Sequence, residues 1–191
     1  LLSYAIKNNH LEMVDDIISN ADNVDIKTAL SEILAKYPDG EKKSQSISSL
    51  FDTGTLKAED KPIVEKYISS SQDSKATKAS VVISSLNSGM RIGLEPIIDN
   101  VMKNAVKEQV DEVASAICKN KLSDEDVSRL LDFGFASGSS DTAISILDCL
   151  KQSGQYLLIP AKFLILFLNM DVYTSEDKIK ILNKCFEFKM E

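Results

Sequence analysis

Apolar residues recur along this chain at the three- and four-residue steps of helices that bury one side. Between Ile26 and Tyr37 they fall at Ile26, Ala29, Leu30, Ile33 and Leu34, and Pro38-Asp39-Gly40 then stops the run. A helix expected over Ala58 to Ile68 holds Ile63, Val64, Tyr67 and Ile68 on one face, with Pro62 in its first turn. Val106, Val110, Val113, Ala114 and Ile117 share another. Further helices are expected over Ser44 to Phe51, Ala76 to Leu86, Leu94 to Val101, Asp126 to Phe135, Asp141 to Lys151, Pro160 to Met170 and Ser175 to Phe188. Two short ones lie between Leu1 and Asn20, divided by the Asn8-Asn9-His10 turn. Ser123 with Asp126 three residues on makes an approximate capping box, and Ser175 stands where it can cap the last helix. No stretch alternates with period 2, so no strand pattern competes.

One phrase of this pattern occurs three times. Leu130 to Leu147, Leu1 to Ile18 and Ile165 to Leu182 align over 18 positions without a gap. Each opens on an aliphatic pair (Leu130-Leu131, Leu1-Leu2, Ile165-Leu166), and two residues on has a large apolar side chain (Phe133, Tyr4, Leu168). Each has an acid after the turn (Asp141, Glu12, Glu176) and closes on a second aliphatic pair. Helix pairs begin near residues 1, 25, 57, 90, 122 and 156, so after a short first pair the period is about 33 residues, and the last two copies match at a spacing of 35. Two helices per period of that length belong to superhelical repeat arrays. The expected fold is all-α, a right-handed α-α superhelix (solenoid) of about six helix-turn-helix repeats, filling residues 1–191 as a single helical-repeat domain. A pair cannot bury its stripe alone and needs the next one stacked upon it. Leu130, Leu131, Phe133, Ile146, Leu147 and Leu150 should line such a seam, and Ala5, Gly134 and Ala143 should sit where helices approach closely. The run Phe163 to Leu168 is apolar on all sides, which predicts a helix buried on both faces.

Composition narrows the chemistry. Hydrophobic residues make up 43% of 191, enough for a core, while the net charge of −7 weighs against a free-standing nucleic-acid binder. The longest apolar run, Leu157 to Met170, is broken by Pro160 and Lys162, so no spanning helix is expected. The chain opens on Leu1, inside a repeat and without an initiator Met, which reads as a piece of a longer array. Cys118, Cys149 and Cys185 lie about one repeat apart among apolar neighbours, a pattern expected of reduced, buried thiols inside the cell. The single histidine, His10, has Glu12 and Asp15 near it, but they read as a solvated helix start. No phosphate loop, dinucleotide fingerprint, zinc or calcium spacing or nucleophile elbow occurs, so no enzyme, cofactor, metal or small-molecule substrate is expected. The carboxylate clusters at Asp15-Asp16, Asp111-Glu112 and Asp124 to Asp126 read as wet helix faces. Lys42-Lys43 with Lys36, the densest basic group, reads as solubilising.

Leu130 to Gly154 resembles a pentatricopeptide repeat, whose pattern Leu130, Leu131, Gly138, Asp141, Ala143, Ile146, Leu147 and Leu150 match in register. Leu1 to Ile18 fits the same pattern and equally resembles an ankyrin repeat; tetratricopeptide arrays share the period. The pentatricopeptide resemblance implies single-stranded RNA binding in an organelle, one base per repeat, read by a polar residue two before the aliphatic pair. That residue is Ser128 in the fifth pair but Phe163 in the sixth, where no base edge can be read by hydrogen bonding. The expectation is therefore a protein-interaction scaffold belonging to a protein of organellar RNA metabolism, in the mitochondrial matrix or the cytoplasm. Direct RNA binding by this segment is the first alternative, and an ankyrin-like partner-binding module the second. Phe163, Phe167, Phe186 and Phe188 are the candidate protein-facing residues, and Ser128 the candidate RNA contact.

Overall fold

A computed structural model describes residues 2–8, 10–20, 25–54, 56–154 and 161–187. These residues form twelve α-helices and no strand, the all-α class the periodicity predicts. The chain divides into two compact units, residues 1–101 and 102–191.

The first unit holds α1 (Leu2–Lys7), α2 (Leu11–Asn20), α3 (Ile26–Lys36), α4 (Glu41–Asp52), α5 (Lys61–Ser70), α6 (Lys75–Asn87) and α7 (Leu94–Ile97). Successive helices pair as hairpins, α1 with α2, α3 with α4 and α5 with α6. Alternate helices also touch, α1 on α3 on α5 on α7 and α2 on α4 on α6, so the unit is two rows of stacked helices. The stripe that predicts α3 does the packing: Ile26, Ala29, Leu30, Ile33 and Leu34 are all buried. Asp25 caps that helix, accepting from the Thr28 amide at 3.1 Å and its hydroxyl at 2.6 Å.

Two helices differ from expectation. The run expected from Ala58 begins with a 3₁₀ turn at Ala58–Asp60, where Asp60 accepts from the Lys57 amide at 3.1 Å, and the α-helix starts only at Lys61. The run expected over Leu94 to Val101 is one α turn followed by a π turn at Ile98–Met102. There the Asn100 side chain donates to the Pro96 carbonyl at 3.1 Å.

The second unit holds α8 (Lys107–Cys118), α9 (Asp124–Ala136), α10 (Ser140–Gln152), α11 (Ala161–Leu168) and α12 (Ser175–Glu187). It repeats the two-row scheme, with α8 on α10 on α12 and α9 on α11. The seam residues Leu130, Leu131, Ile146, Leu147 and Leu150 are buried as expected, and Phe133 is half-buried. Gly134 is where α9 meets α10, since a Cβ there would lie 3.2 Å from Ile146. Aligned positions of the last copy carry Asn169 for Gly134 and Lys178 for Ala143, one exposed and one half-buried. The Ser123–Asp126 capping box forms, with the Asp126 amide 3.1 Å from the Ser123 hydroxyl. At α12 the cap falls one residue before Ser175: Thr174 accepts from the Asp177 amide at 3.2 Å, and Asp177 accepts from the Thr174 amide in return.

The expectation of three reduced thiols is overturned for two of them. Packing of α8 on α10 brings the Cα atoms of Cys118 and Cys149 to 5.5 Å, and a disulfide joins them. They stand 31 residues apart in sequence. Cys185, on α12, is buried and lies outside that bond.

Candidate functional site

Two regions stand out, one in each unit. In the first unit a cleft of about 510 Å³ opens beside α3, α4 and α5. At its floor lies Lys43, only 2% exposed, against the expectation that it solubilises the surface. The α4 register that buries Ile47 and Leu50 turns Lys43 inward, under the end of α3. Its ammonium donates to the Leu34 carbonyl at 2.8 Å, the Tyr37 carbonyl at 3.3 Å and the Asp73 carboxylate at 2.5 Å. It also lies 5.1 Å from the centre of the Tyr67 ring. The Tyr67 hydroxyl donates to the same carboxylate at 2.6 Å.

The electrostatics follow from that geometry. Burial pushes the Asp73 carboxyl up, but hydrogen bonds from Lys43 and Tyr67 outweigh it and hold the group below its ordinary value. Burial first, and the hydrogen bond to Asp73 second, push the Tyr67 phenol well above its ordinary value. Beside this cluster Asp39 accepts from the Ser74 amide at 2.9 Å, tying the α3–α4 turn to the start of α6. A lysine ammonium has three protons, and all three are used here. Lys43 therefore fastens helix ends together.

In the second unit the notable feature is exposed apolar surface. Ile165 on α11 is 60% exposed and Leu168 43%; Ile179 on α12 is 57% exposed and Phe186 55%. The expectation that α11 is covered on both faces therefore fails on one of them. Phe163 and Phe167, expected to face a partner, are instead core residues, 3% and 0% exposed. They pack on Phe135 at ring distances of 6.2 and 5.5 Å, and Phe167 meets Tyr173 edge-on at 5.0 Å. Tyr173 completes the group by donating its hydroxyl to the Phe135 carbonyl at 2.8 Å. Phe186 stands on the outer surface, and Phe188 lies outside the described residues.

Ser128 is half-buried on α9, in a turn whose neighbours are acidic. Arg129 beside it is paired with Glu125 at 2.9 Å. His10 is exposed and stacks against the Tyr4 ring, centroids 6.3 Å apart. Among the described residues no cluster of three or more His, Cys, Asp or Glu is placed to hold a metal, and no helix is long and apolar enough to cross a membrane.

Sequence reasoning missed the Lys43–Tyr67–Asp73 cluster, because a lysine in a basic pair looks solvated until the helix register is known. It missed Ile165 and Ile179 for a different reason. Ile179 and Phe186, seven apart, form a second stripe on α12 beside that of Ile181 and Cys185, and a helical wheel of that segment would have separated the two. No protein family, curated protein or solved structure matches the chain.

Proposed function

We propose that this chain is a non-enzymatic helical-repeat binding module: a protein-interaction scaffold of the pentatricopeptide type, from a protein of organellar RNA metabolism. Its architecture in this reading is a right-handed superhelix of about six repeats of 33 to 35 residues. Support comes from the two-row packing within each unit and from polar ties that span about one repeat. Ser74 to Asp39 spans 35 residues, Ser145 to Asp111 spans 34, and Ser140 to Asp177 spans 37.

The observation that carries the binding role is the exposed apolar surface of α11 and α12. Exposed large apolar side chains mark association surfaces where they cluster. Replacing Ile165 and Ile179 together by Lys tests it. In co-precipitation from cells, the wild-type chain should recover a defined partner that the double variant loses, while both melt at the same temperature. Equal recovery by both chains counts against the reading.

Direct single-stranded RNA binding is the second reading, favoured by the partial exposure of Ser128 at the expected base-reading position. The paired state of Arg129 and the net charge of −7 work against it. Fluorescence anisotropy with short RNAs at low salt decides: binding that weakens with salt and with Ser128→Ala supports it, and a flat titration removes it. The ankyrin-like alternative draws no support, since the described residues include no β-hairpin loop.

A further inference from the structure

The Cys118–Cys149 disulfide lies where both of its redox states are accommodated. Cys118 is the last residue of α8, and Cys149 sits on α10 with its sulfur 3.3 Å from the Ala114 carbonyl oxygen. As half of a disulfide that sulfur has no proton; as a thiol it has an acceptor already in place. Noncovalent contacts hold the seam beside the covalent bond. Val110, Val113, Ile117, Ile146 and Leu150 are buried in these two helices, and Ser145 on α10 donates to Asp111 on α8.

Access is asymmetric. A cleft of about 310 Å³ opens on the seam, lined by Lys107, Asp111, Ser115, Ser145 and Cys149 among others, while Cys118 is not part of its wall. Both cysteines are nearly enclosed, Cys149 at 3% and Cys118 at 5% exposure, so the cleft beside Cys149 is the route by which a small thiol or disulfide would approach the bond.

We propose that Cys118 and Cys149 form a reversible thiol–disulfide latch between α8 and α10, set by exchange with a small disulfide of the glutathione class. In the closing direction the Cys149 thiolate attacks one sulfur of the small disulfide and expels one small thiolate. Cys118 then attacks the Cys149 sulfur of the mixed disulfide, forming the internal bond and expelling the second. Two protein thiols lose two protons and two electrons, and the small disulfide takes up both. Opening is the reverse, with the small thiol attacking Cys149.

The test uses the full chain equilibrated in buffers of graded glutathione to glutathione disulfide ratio, acid-quenched, alkylated and read by mass spectrometry. The oxidised fraction of the pair should move smoothly between closed and open across the series, with the circular-dichroism spectrum unchanged. A Cys118→Ala variant should accumulate a mixed disulfide on Cys149. A Cys149→Ala variant should leave Cys118 at least tenfold less modified, because it lies off the cleft. A pair that stays oxidised under excess dithiothreitol until the chain unfolds overturns the latch, showing a static cross-link. A pair that never closes in oxidising buffer overturns it equally.

Discussion

Lys43 shows how strongly one side chain can be committed by its surroundings. Replacing it by Met keeps the stem but leaves the Asp73 carboxylate without its ammonium and two carbonyl groups without their donor. Removing one member of a buried ion pair costs about 3–5 kcal/mol, which urea denaturation of Lys43→Met should register. The same cluster predicts a pH response with a definite sign. Asp73 gives up its proton more readily in the folded chain than in the unfolded one. Its contribution is therefore whole above the unfolded value, near pH 4, and is lost as pH falls further. Stability below about pH 4 should drop more steeply in the wild type than in Lys43→Met. Tyr67 shifts the other way: it should remain protonated past about pH 10. Absorbance at 295 nm should show a late-ionising tyrosine that Tyr67→Phe removes. A separate residue-level prediction concerns Gly138, whose φ of +71° belongs to the left-handed region. A Cβ there would also lie 2.8 Å from a methyl of Val172. Gly138→Ala should cost about 1–2 kcal/mol, read as a lowered melting temperature.

At the scale of a helix, α11 separates pattern from placement. Its uniformly apolar sequence announces burial without saying which face is buried. Truncating Phe167 to Ala should cost about 3–5 kcal/mol, since it is fully enclosed by Phe135 and Tyr173. Phe186→Ala should stay within about 0.5 kcal/mol, because that ring stands in solvent. Parallel thermal melts of the two variants check the assignment. Much of the helical layout was legible beforehand, because a stripe such as Ile26 to Leu34 depends only on the helical period. What stayed hidden depends on stacking between copies. The inward turn of Lys43 depends on how α4 sits against α3 and on Asp73, and the meeting of Cys118 with Cys149 and the burial of Phe163 depend on helices about 30 residues away in sequence. The Ser123 cap could be read because its partner is three residues off. The α12 cap was misplaced by one residue because Thr174 and Ser175 offer the same chemistry side by side.

At the scale of the whole molecule, stability in each unit passes from one helix to the next but one, so it is set by neighbours rather than by a single shared core. The disulfide adds to this in the second unit. Closing a 31-residue loop is worth roughly 3–4 kcal/mol in the unfolded-chain model, which bounds how far reduction can lower that unit's stability. The first unit has no such bond among its described residues, and Lys43 takes its place by touching the end of α3, the ring of α5 and the loop before α6 at once. The consequence lies in how that unit comes apart. With only six residues, α1 can open locally at small cost, and α2 with it. That opening halts where releasing α3 would take the Leu34 and Tyr37 carbonyls away from the Lys43 ammonium. The unit should therefore unravel in two steps rather than one, and amide exchange should protect α3 through α6 as a block while α1 and α2 exchange ahead of them.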